Sequence, residues 1–463
     1  MIYSLDDTIA AISTPIGEGG IGIVRLSGPQ APEILGRLFR PTRQPVGELG
    51  PRLLHYGHVV DPADGQIVDE VLAVHMPAPQ TYTRQDVVEI QGHGGIVALR
   101  RILALCLRLG ARLAEPGEYT ARAFLHGRLD LAQAEAVLDI IQARTDVSLR
   151  AAMGQLAGRL SGRLRDVRAG LLEVLAYLEA SLDFAEDEIP EREIGPDLVR
   201  AGDDLRALLA EAERGIVYRQ GVRVAIVGRP NVGKSSLLNR LLRTNRAIVT
   251  DIPGTTRDTL EETLNLEGIP VVLVDTAGIA TATEDPIERL GIERSRAALD
   301  QADLALLVLD AGEPPGGADR EIAALLNGKP AIVVLNKIDL PAGKGRQAAG
   351  GAATLVPAAP SVPVSALTGA GLDDLEAAIV EAVFTGRVIA NGTPLVTSQR
   401  HKEALCRALE HVEAAHAAHD EGRWPDLVAI DVSAAVRALG EITGQTASEE
   451  LVETIFASFC IGK

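Results

Sequence analysis

The chain has 463 residues, too many for one hydrophobic core, so two to four domains are expected. Its composition, 46% apolar and 23% charged, is globular, and no apolar run reaches the roughly 20 residues of a membrane span. The balance of 45 basic against 63 acidic residues, net −18, excludes a broad nonspecific nucleic-acid coat, because an acidic surface repels phosphate backbones.

In chain order, MIYSLDDT carries neither the basic start nor the apolar stretch of a signal peptide. Residues 8–14 (TIAAIST) and 21–28 (IGIVRLSG) read as strands around the GEGG turn, and 31–39 as a helix. LLHYGHVVD, IVDEVLAVHM and DVVEIQG read as further strands, and 96–110 as a helix closed by Gly110. From about Leu129 to Gly215 apolar residues fall at helical spacing, until the acidic stretch at 184–197 interrupts them. From Gly221 to about Thr385 short apolar strands such as DLALLVLDA and AIVVL alternate with helices, the sign of a doubly wound, mostly parallel sheet. Within it 341–360 reads as a low-complexity surface loop, and after Thr397 the chain is helical again. The expected division is an α/β domain at 1–126, a helical domain at 127–218 and 387–463, and a nucleotide domain inserted at 219–386. Cys106, Cys406 and Cys460 show no CxxC spacing, so a cytoplasmic protein without disulfide framework or zinc site is expected.

VRVAIVGRPNVGKSSLLNRLL (222–242) is a strand, a Gly-rich turn and a helix, with GxxxxGKS from Gly228 to Ser235. Glycines let backbone N–H groups wrap phosphates, Lys234 neutralises the β and γ oxygens, and Ser235 ligates Mg²⁺. DTAG (275–278) follows a strand, where Asp275 suits the second shell of Mg²⁺ and Gly278 can meet the γ-phosphate. In NKID (336–339), Asp339 can accept from guanine N1–H and the exocyclic amine, and SAL (365–367) closes the base pocket. Adenine would leave those groups unpaired at about 1–3 kcal/mol each, so GTP is selected over ATP. The sequence is that of a GTPase.

Ile279 stands where Ras-type enzymes place a water-orienting Gln, so the catalytic group comes from elsewhere. EDPIERLGIERS (284–295) offers carboxylates, although on spacing alone Glu288 reads as a solvated helix face. In TDIPGTTRD (250–258) Thr256 is the natural Mg²⁺ ligand, and Asn231 adds an oxygen near the phosphates, where a monovalent cation could replace an arginine finger. Only six of the 45 basic residues are lysines, and Lys234, Lys337 and Lys463 stand in motifs, whereas Lys329, Lys344 and Lys402 read as surface residues.

IGIVRLSG, EIQGHGG (89–95), PGEYTARAFLHGRLDLAQAEAV (116–137), GRPNVGKSSLLN with TDIPGTTRD, and the terminal FCIGK (459–463) together resemble the MnmE (TrmE) family of tRNA modification GTPases, over essentially the whole chain. The resemblance implies a homodimer with a folate-binding, dimerising N-terminal α/β domain, a helical domain and an inserted Ras-like GTPase domain. It implies potassium-activated GTP hydrolysis and a partner of the MnmG (GidA) kind that uses FAD and NADH. With that partner, a methylene- or formyl-tetrahydrofolate donor and tRNA, the family builds a (carboxymethyl)aminomethyl group at C5 of the wobble uridine. By resemblance Asn231, Thr250, Ile252 (through its carbonyl) and Thr255 match potassium ligands, and Ser235 and Thr256 magnesium ligands. Glu288 matches the catalytic glutamate that orients water, in place of a solvated face. The segment from Gly278 to Glu288 is one residue longer than the family pattern, so Glu288 is assigned by its ERxGIER context, with Glu284 the alternative. The residues expected to meet GTP are Asn231, Val232, Gly233, Lys234, Ser235, Ser236, Thr250, Thr255, Thr256, Asp275, Thr276, Ala277, Gly278, Asn336, Lys337, Asp339, Ser365 and Ala366.

Arg25, Glu89, Arg128 and Lys463 match the family's folate-contacting positions. Physically, a folate tail carries carboxylates that Arg25, Arg128 or Lys463 would bind, and Glu89 would accept from the pterin N–H edge. Without the resemblance each reads as a surface ion pair, and Cys460 as a small hydrophobe. An Era/Der-type ribosome-assembly GTPase is the alternative, but it calls for a basic RNA-binding module that the acidic flanks lack. A dynamin-class protein calls for a membrane-binding basic amphipathic helix, which is also missing.

Overall fold

The computed structural model describes residues 5–42, 50–183, 190–245, 262–275, 299–326, 328–340, 354–357, 359–384 and 394–463. Alternation of buried and half-buried positions along β2 (Gly22–Ser27) pairs it antiparallel with β1 (Ile9–Ile12), as the GEGG turn predicts. With β3 (Phe39–Pro41), β4 (His55–Val60), β5 (Ile67–Met76), β6 (Val87–Gly92) and β7 (Arg112–Leu113) they form one sheet, ordered β3-β4-β5-β6-β2-β1-β7. Helices α1 (Ala31–Leu38) and α2 (Ile96–Arg108) bury Ile34, Leu35, Leu38, Leu99, Ile102 and Leu105 against it. Beyond α2, Gly110 turns the chain with φ 112°. Cys106 is sealed in this core, where burial pushes its thiol up to about 12 and leaves it inert.

Helix α3 (Glu118–Leu125) leads into α4 (Leu131–Gln142), α5 (Asp146–Leu156), α6 (Arg159–Asp183), α7 (Gly195–Ala210) and α8 (Ala212–Gln220). Capping boxes fix the starts of α4 (Asp130 with Gln133) and α5 (Thr145 with Ser148). The expected join at 218/219 falls inside α8, which runs on to Gln220 before the chain enters the next sheet.

That sheet contains β8 (Val222–Val227), β9 (Glu262–Leu266), β10 (Ile269–Asp275), β11 (Leu304–Asp310), β12 (Ala331–Asn336) and β13 (Ser361–Pro363). Its order is β13-β12-β11-β8-β10-β9, parallel except for the β9–β10 hairpin. Both faces are apolar: Val224 and Ile226 of β8 enter one core cluster, Ala225 and Val227 the other, which is why these strands read as continuous apolar runs. Helices α9 (Lys234–Asn245), α10 (Gly317–Leu325) and α11 (Leu372–Phe384) belong to this unit. The expected surface loop at 341–360 is corrected in part, since Leu355, Val356 and Ala359 pack against one of these clusters.

The chain ends in α12 (Gln399–Asp420), α13 (Pro425–Thr443) and α14 (Glu449–Ala457). One core cluster draws on both Leu160–Ala212 and Val396–Ile442, so the helical segments before and after the nucleotide sheet make a single body. Gly215 permits this closure, because a Cβ there would sit 1.9 Å from the Val396 carbonyl oxygen.

Candidate nucleotide and tail sites

Parallel register brings the carboxyl ends of β8, β10, β11 and β12 together, so Gly228, Asp275, Asp310 and Asn336 collect at one edge of the sheet. A Cβ on Gly233 (φ 97°) would lie 2.2 Å from Asn336 Nδ2, and one on Gly228 (φ 152°) 2.4 Å from the Val308 carbonyl. Only glycine fits either place. Between them Asn231 is exposed in a left-handed conformation (φ 68°) and Val232 is buried. Lys234 opens α9, and its Nζ donates to the carbonyls of Gly228 (2.7 Å) and Arg229 (2.9 Å) in the loop. Ser235 and Ser236 are exposed in the same turn.

Asn336 joins the phosphate loop to the base loop: its Nδ2 donates to Val232 O (2.8 Å) and its Oδ1 accepts from Ala366 N (3.0 Å). Ser365 donates to Asp339 Oδ1 at 2.5 Å, aligning the carboxylate expected to meet guanine. Lys337 (φ 69°) pairs with Asp310 at 2.8 Å. Burial pushes the Asp310 carboxyl up, but Lys337 and the Gly312 N–H outweigh it and hold it below the usual range. Sequence reasoning missed Asp310, although its place at the end of an apolar strand, level with Asn336, was the available signal. Lys329 is not a plain surface residue, since its amine donates to the carbonyls of Leu299 and Ala302. Thr250, Ile252, Thr255, Thr256, Thr276, Ala277, Gly278, Glu284 and Glu288 lie outside the described residues, and Asp275 is described as the last residue of β10.

The second constellation forms on the first sheet. Arg25 on β2 stands opposite Glu89 on β6, with Nε 2.9 Å from Oε1. Arg25 Nη1 also donates to Gly462 O (3.3 Å) of the terminal FCIGK, so residues 437 apart in sequence meet. The tail is docked: Ile461 bridges Pro116, Gly117 N donates to Cys460 O, and Gly462 (φ 95°) leaves room for the Ile12 carbonyl. Phe456 and Phe459, rings 5.5 Å apart, bury themselves against Ala121 and Leu131, while Cys460 is exposed. Lys463 closes the tail half-buried.

Arg128 lies 4.6 Å above the Tyr82 ring and donates to its carbonyl. Burial raises the Tyr82 hydroxyl; Thr120 opposes this by hydrogen bonding, and Arg128 and Arg25 by their charges. Tyr119 donates its hydroxyl to Arg25 O (2.6 Å), and the Arg25 guanidinium lies 5.8 Å from the centre of its ring. Neither tyrosine was singled out from sequence, because nothing local distinguishes it from a core aromatic. Behind them the fully buried Glu118–Arg122 pair holds Asp7 and Arg112, fixing α3 beside the start of β1.

A phosphate loop clamped to a guanine-selective loop, at the strand ends of a doubly wound sheet set into a helical body, defines a P-loop GTPase. The MnmE helical domain matches residues 131–460, and the GTP-binding protein TrmE N-terminus matches residues 8–128. The chain belongs to the MnmE family of tRNA modification GTPases. It is 52% identical over 473 residues to the tRNA modification GTPase MnmE of Roseiflexus sp. (strain RS-1), covering 100% of both chains. It is 49% identical over 463 residues to that of Geobacillus kaustophilus, covering 99% of each. The G domain of the T. maritima FeoB iron transporter shares 28% identity over 35% of this chain and 98% of that one, with a TM-score of 0.26. Among the described residues no helix is long and apolar enough to cross a membrane.

Proposed function

We propose that this chain couples GTP hydrolysis to modification of tRNA, building a (carboxymethyl)aminomethyl group at C5 of the wobble uridine. It does so as a cytoplasmic homodimer, together with an FAD- and NADH-using partner of the MnmG kind. The observation that carries this reading is the docked FCIGK tail, which meets Arg25 beside Glu89. A GTPase acting only as a switch gives no reason for a second cluster of charged side chains, Arg25 with Glu89, to be met by its own C-terminus.

The residues present fit the expected ligands. Arg25, Arg128 and Lys463 suit the carboxylates of a tetrahydrofolate, Glu89 its pterin N–H edge, and Tyr82 a ring face. The folate supplies the one-carbon unit. The exposed Ser235 hydroxyl suits Mg²⁺, with Thr256 as the second ligand, and the Asn231 amide suits K⁺ with Thr250, Thr255 and the Ile252 carbonyl. Glu288 orients the attacking water that Ile279 cannot. With a net charge of −18, the chain leaves much of the grip on tRNA to its partner.

Nucleoside mass spectrometry of tRNA from a strain lacking the protein tests this reading: the modified wobble uridine disappears, and an unchanged profile refutes it. Replacing K⁺ with Na⁺ should cut GTP turnover by at least about tenfold, as should Asn231→Ala, and equal rates in both salts refute the potassium site.

A further inference from the structure

We propose that the corner between α4 and α5 senses the state of the nucleotide and passes it along α4 to Arg128, with Arg144 and Thr145 as positioning residues. The purpose of this link rests on the proposed role of Arg128, but its geometry does not. The β9–β10 hairpin is the covalent join between residues 250–258 and DTAG at 275–278, the two segments expected to meet the metal and the γ-phosphate. Its turn, Glu267–Gly268, has φ 51° and 91°, the left-handed pair of a tight two-residue hairpin.

The helical body grips that turn. Thr145 Oγ1 donates to Gly268 O at 2.8 Å, and Arg144 Nη1 donates to Thr263 Oγ1 at 3.3 Å. A Cβ on Gly268 would lie 2.3 Å from Val147 Cγ2, so a glycine is required for the approach, and Val147 packs against the core of the nucleotide domain. Thr145 is also the cap of α5, so a shift of the hairpin acts on the helix start itself.

From this corner α4 runs back through 12 residues, about 18 Å, to Asp130, two residues after Arg128. Two more ties hold it. Asp139 pairs at 2.7 Å with Arg219 on α8, the helix by which the chain enters the nucleotide sheet. Glu135 pairs with Arg400 and His401 on α12, the helix by which it returns. The segment from α4 to Thr145 is thus tied to the hairpin tip, the entry helix and the exit helix, and because close-packed elements have little room to absorb strain, a displacement of the hairpin bears on α4.

The test is hydrogen–deuterium exchange of the full chain loaded with GDP or with a non-hydrolysable GTP analogue. In the wild type, exchange in residues 126–134 should change between the two states by about fivefold, together with the phosphate loop at 228–236. Thr145→Val should abolish the change at 126–134 while the phosphate loop still responds, and Thr145→Ser should restore it. Arg144→Ala, which spares the α5 cap, should reduce the response while exchange in α6 and α12 stays at the wild-type rates, so a misfolded Thr145→Val protein would not hide the answer. A wild-type phosphate loop that responds while 126–134 does not overturns the proposal, as does a full response in both variants. Failure of the folate reading would appear separately, as absent tetrahydrofolate binding with the exchange response intact.

Discussion

Removing the charge of Glu135 should loosen the helical body by an amount that depends on pH. Glu135 lies on α4, 8% exposed, and accepts from Arg400 Nη2 (2.7 Å) and Nε (3.1 Å), with His401 Nε2 at 2.7 Å. Burial alone would raise its carboxyl, but the charge and hydrogen bond of His401, followed by those of Arg400, hold it at about 2 instead of 4.5. At about 1.4 kcal/mol per pH unit, that gap contributes about 3 kcal/mol to the folded state. A lowered carboxyl stabilises above its unfolded value, so the contribution is complete above about pH 4.5 and is lost as pH falls towards 2. A similar figure follows from leaving a buried cation without its partner, typically about 3–5 kcal/mol. In a multidomain chain a single unfolding midpoint is not defined, so the assay is native-state hydrogen exchange of the α4 and α12 amides in wild type and Glu135→Gln. The variant should exchange about a hundredfold faster at pH 7, and the difference should shrink as the pH is taken from 5 to 3. A difference that persists unchanged at pH 3, or one absent at pH 7, refutes the reasoning.

Asp339→Asn should exchange the base preference: an amide N–H cannot accept from the guanine amine but can donate to the 2-carbonyl of xanthine, so GTP affinity falls by at least about tenfold while XTP affinity rises. Competition between labelled GTP and XTP reads this out. Gly462→Ala places a Cβ 2.6 Å from the Ile12 carbonyl at a φ of 95°, so the tail should undock and wobble-uridine modification should fall, with GTP affinity held within about twofold. Deleting 459–463 should do the same, and normal tRNA nucleosides from either strain would contradict the role given to the tail.

What could be read from the sequence was what has a local cause. The phosphate loop was legible because Gly228 and Gly233 are imposed by backbone closeness that recurs wherever phosphates are wrapped, and NKID and SAL were legible because guanine fixes their chemistry. The strands of the nucleotide sheet were legible as apolar runs because both faces are covered. Tyr82 and Asp310 were not, since one becomes a site residue only when Arg128 settles on its ring and the other only when Lys337 reaches it. The expected domain join at 218/219 falls inside α8 because the step from helix to strand is made by Gly221, whose positive φ carries no helical or strand periodicity.

The insertion itself explains why the connection between the two sites is invisible in one dimension. Every residue of the α4–α5 corner has an ordinary local reason to be there: Thr145 caps a helix, Val147 is a half-buried apolar residue in its first turn, and Arg144 is an exposed arginine in an arginine-rich chain. Their partners Thr263 and Gly268 lie more than a hundred residues downstream, inside the inserted domain. An inserted domain is joined to its host by two strands of chain, and two joins alone allow it to swing. A third contact at the hairpin tip limits that freedom, and it falls on the segment lying between the two stretches of sequence expected to meet the phosphate. A rigid third contact is costly to maintain if the domain needs only to be tethered. It is required if a change at the γ-phosphate has to be felt at Arg128, on the far end of α4.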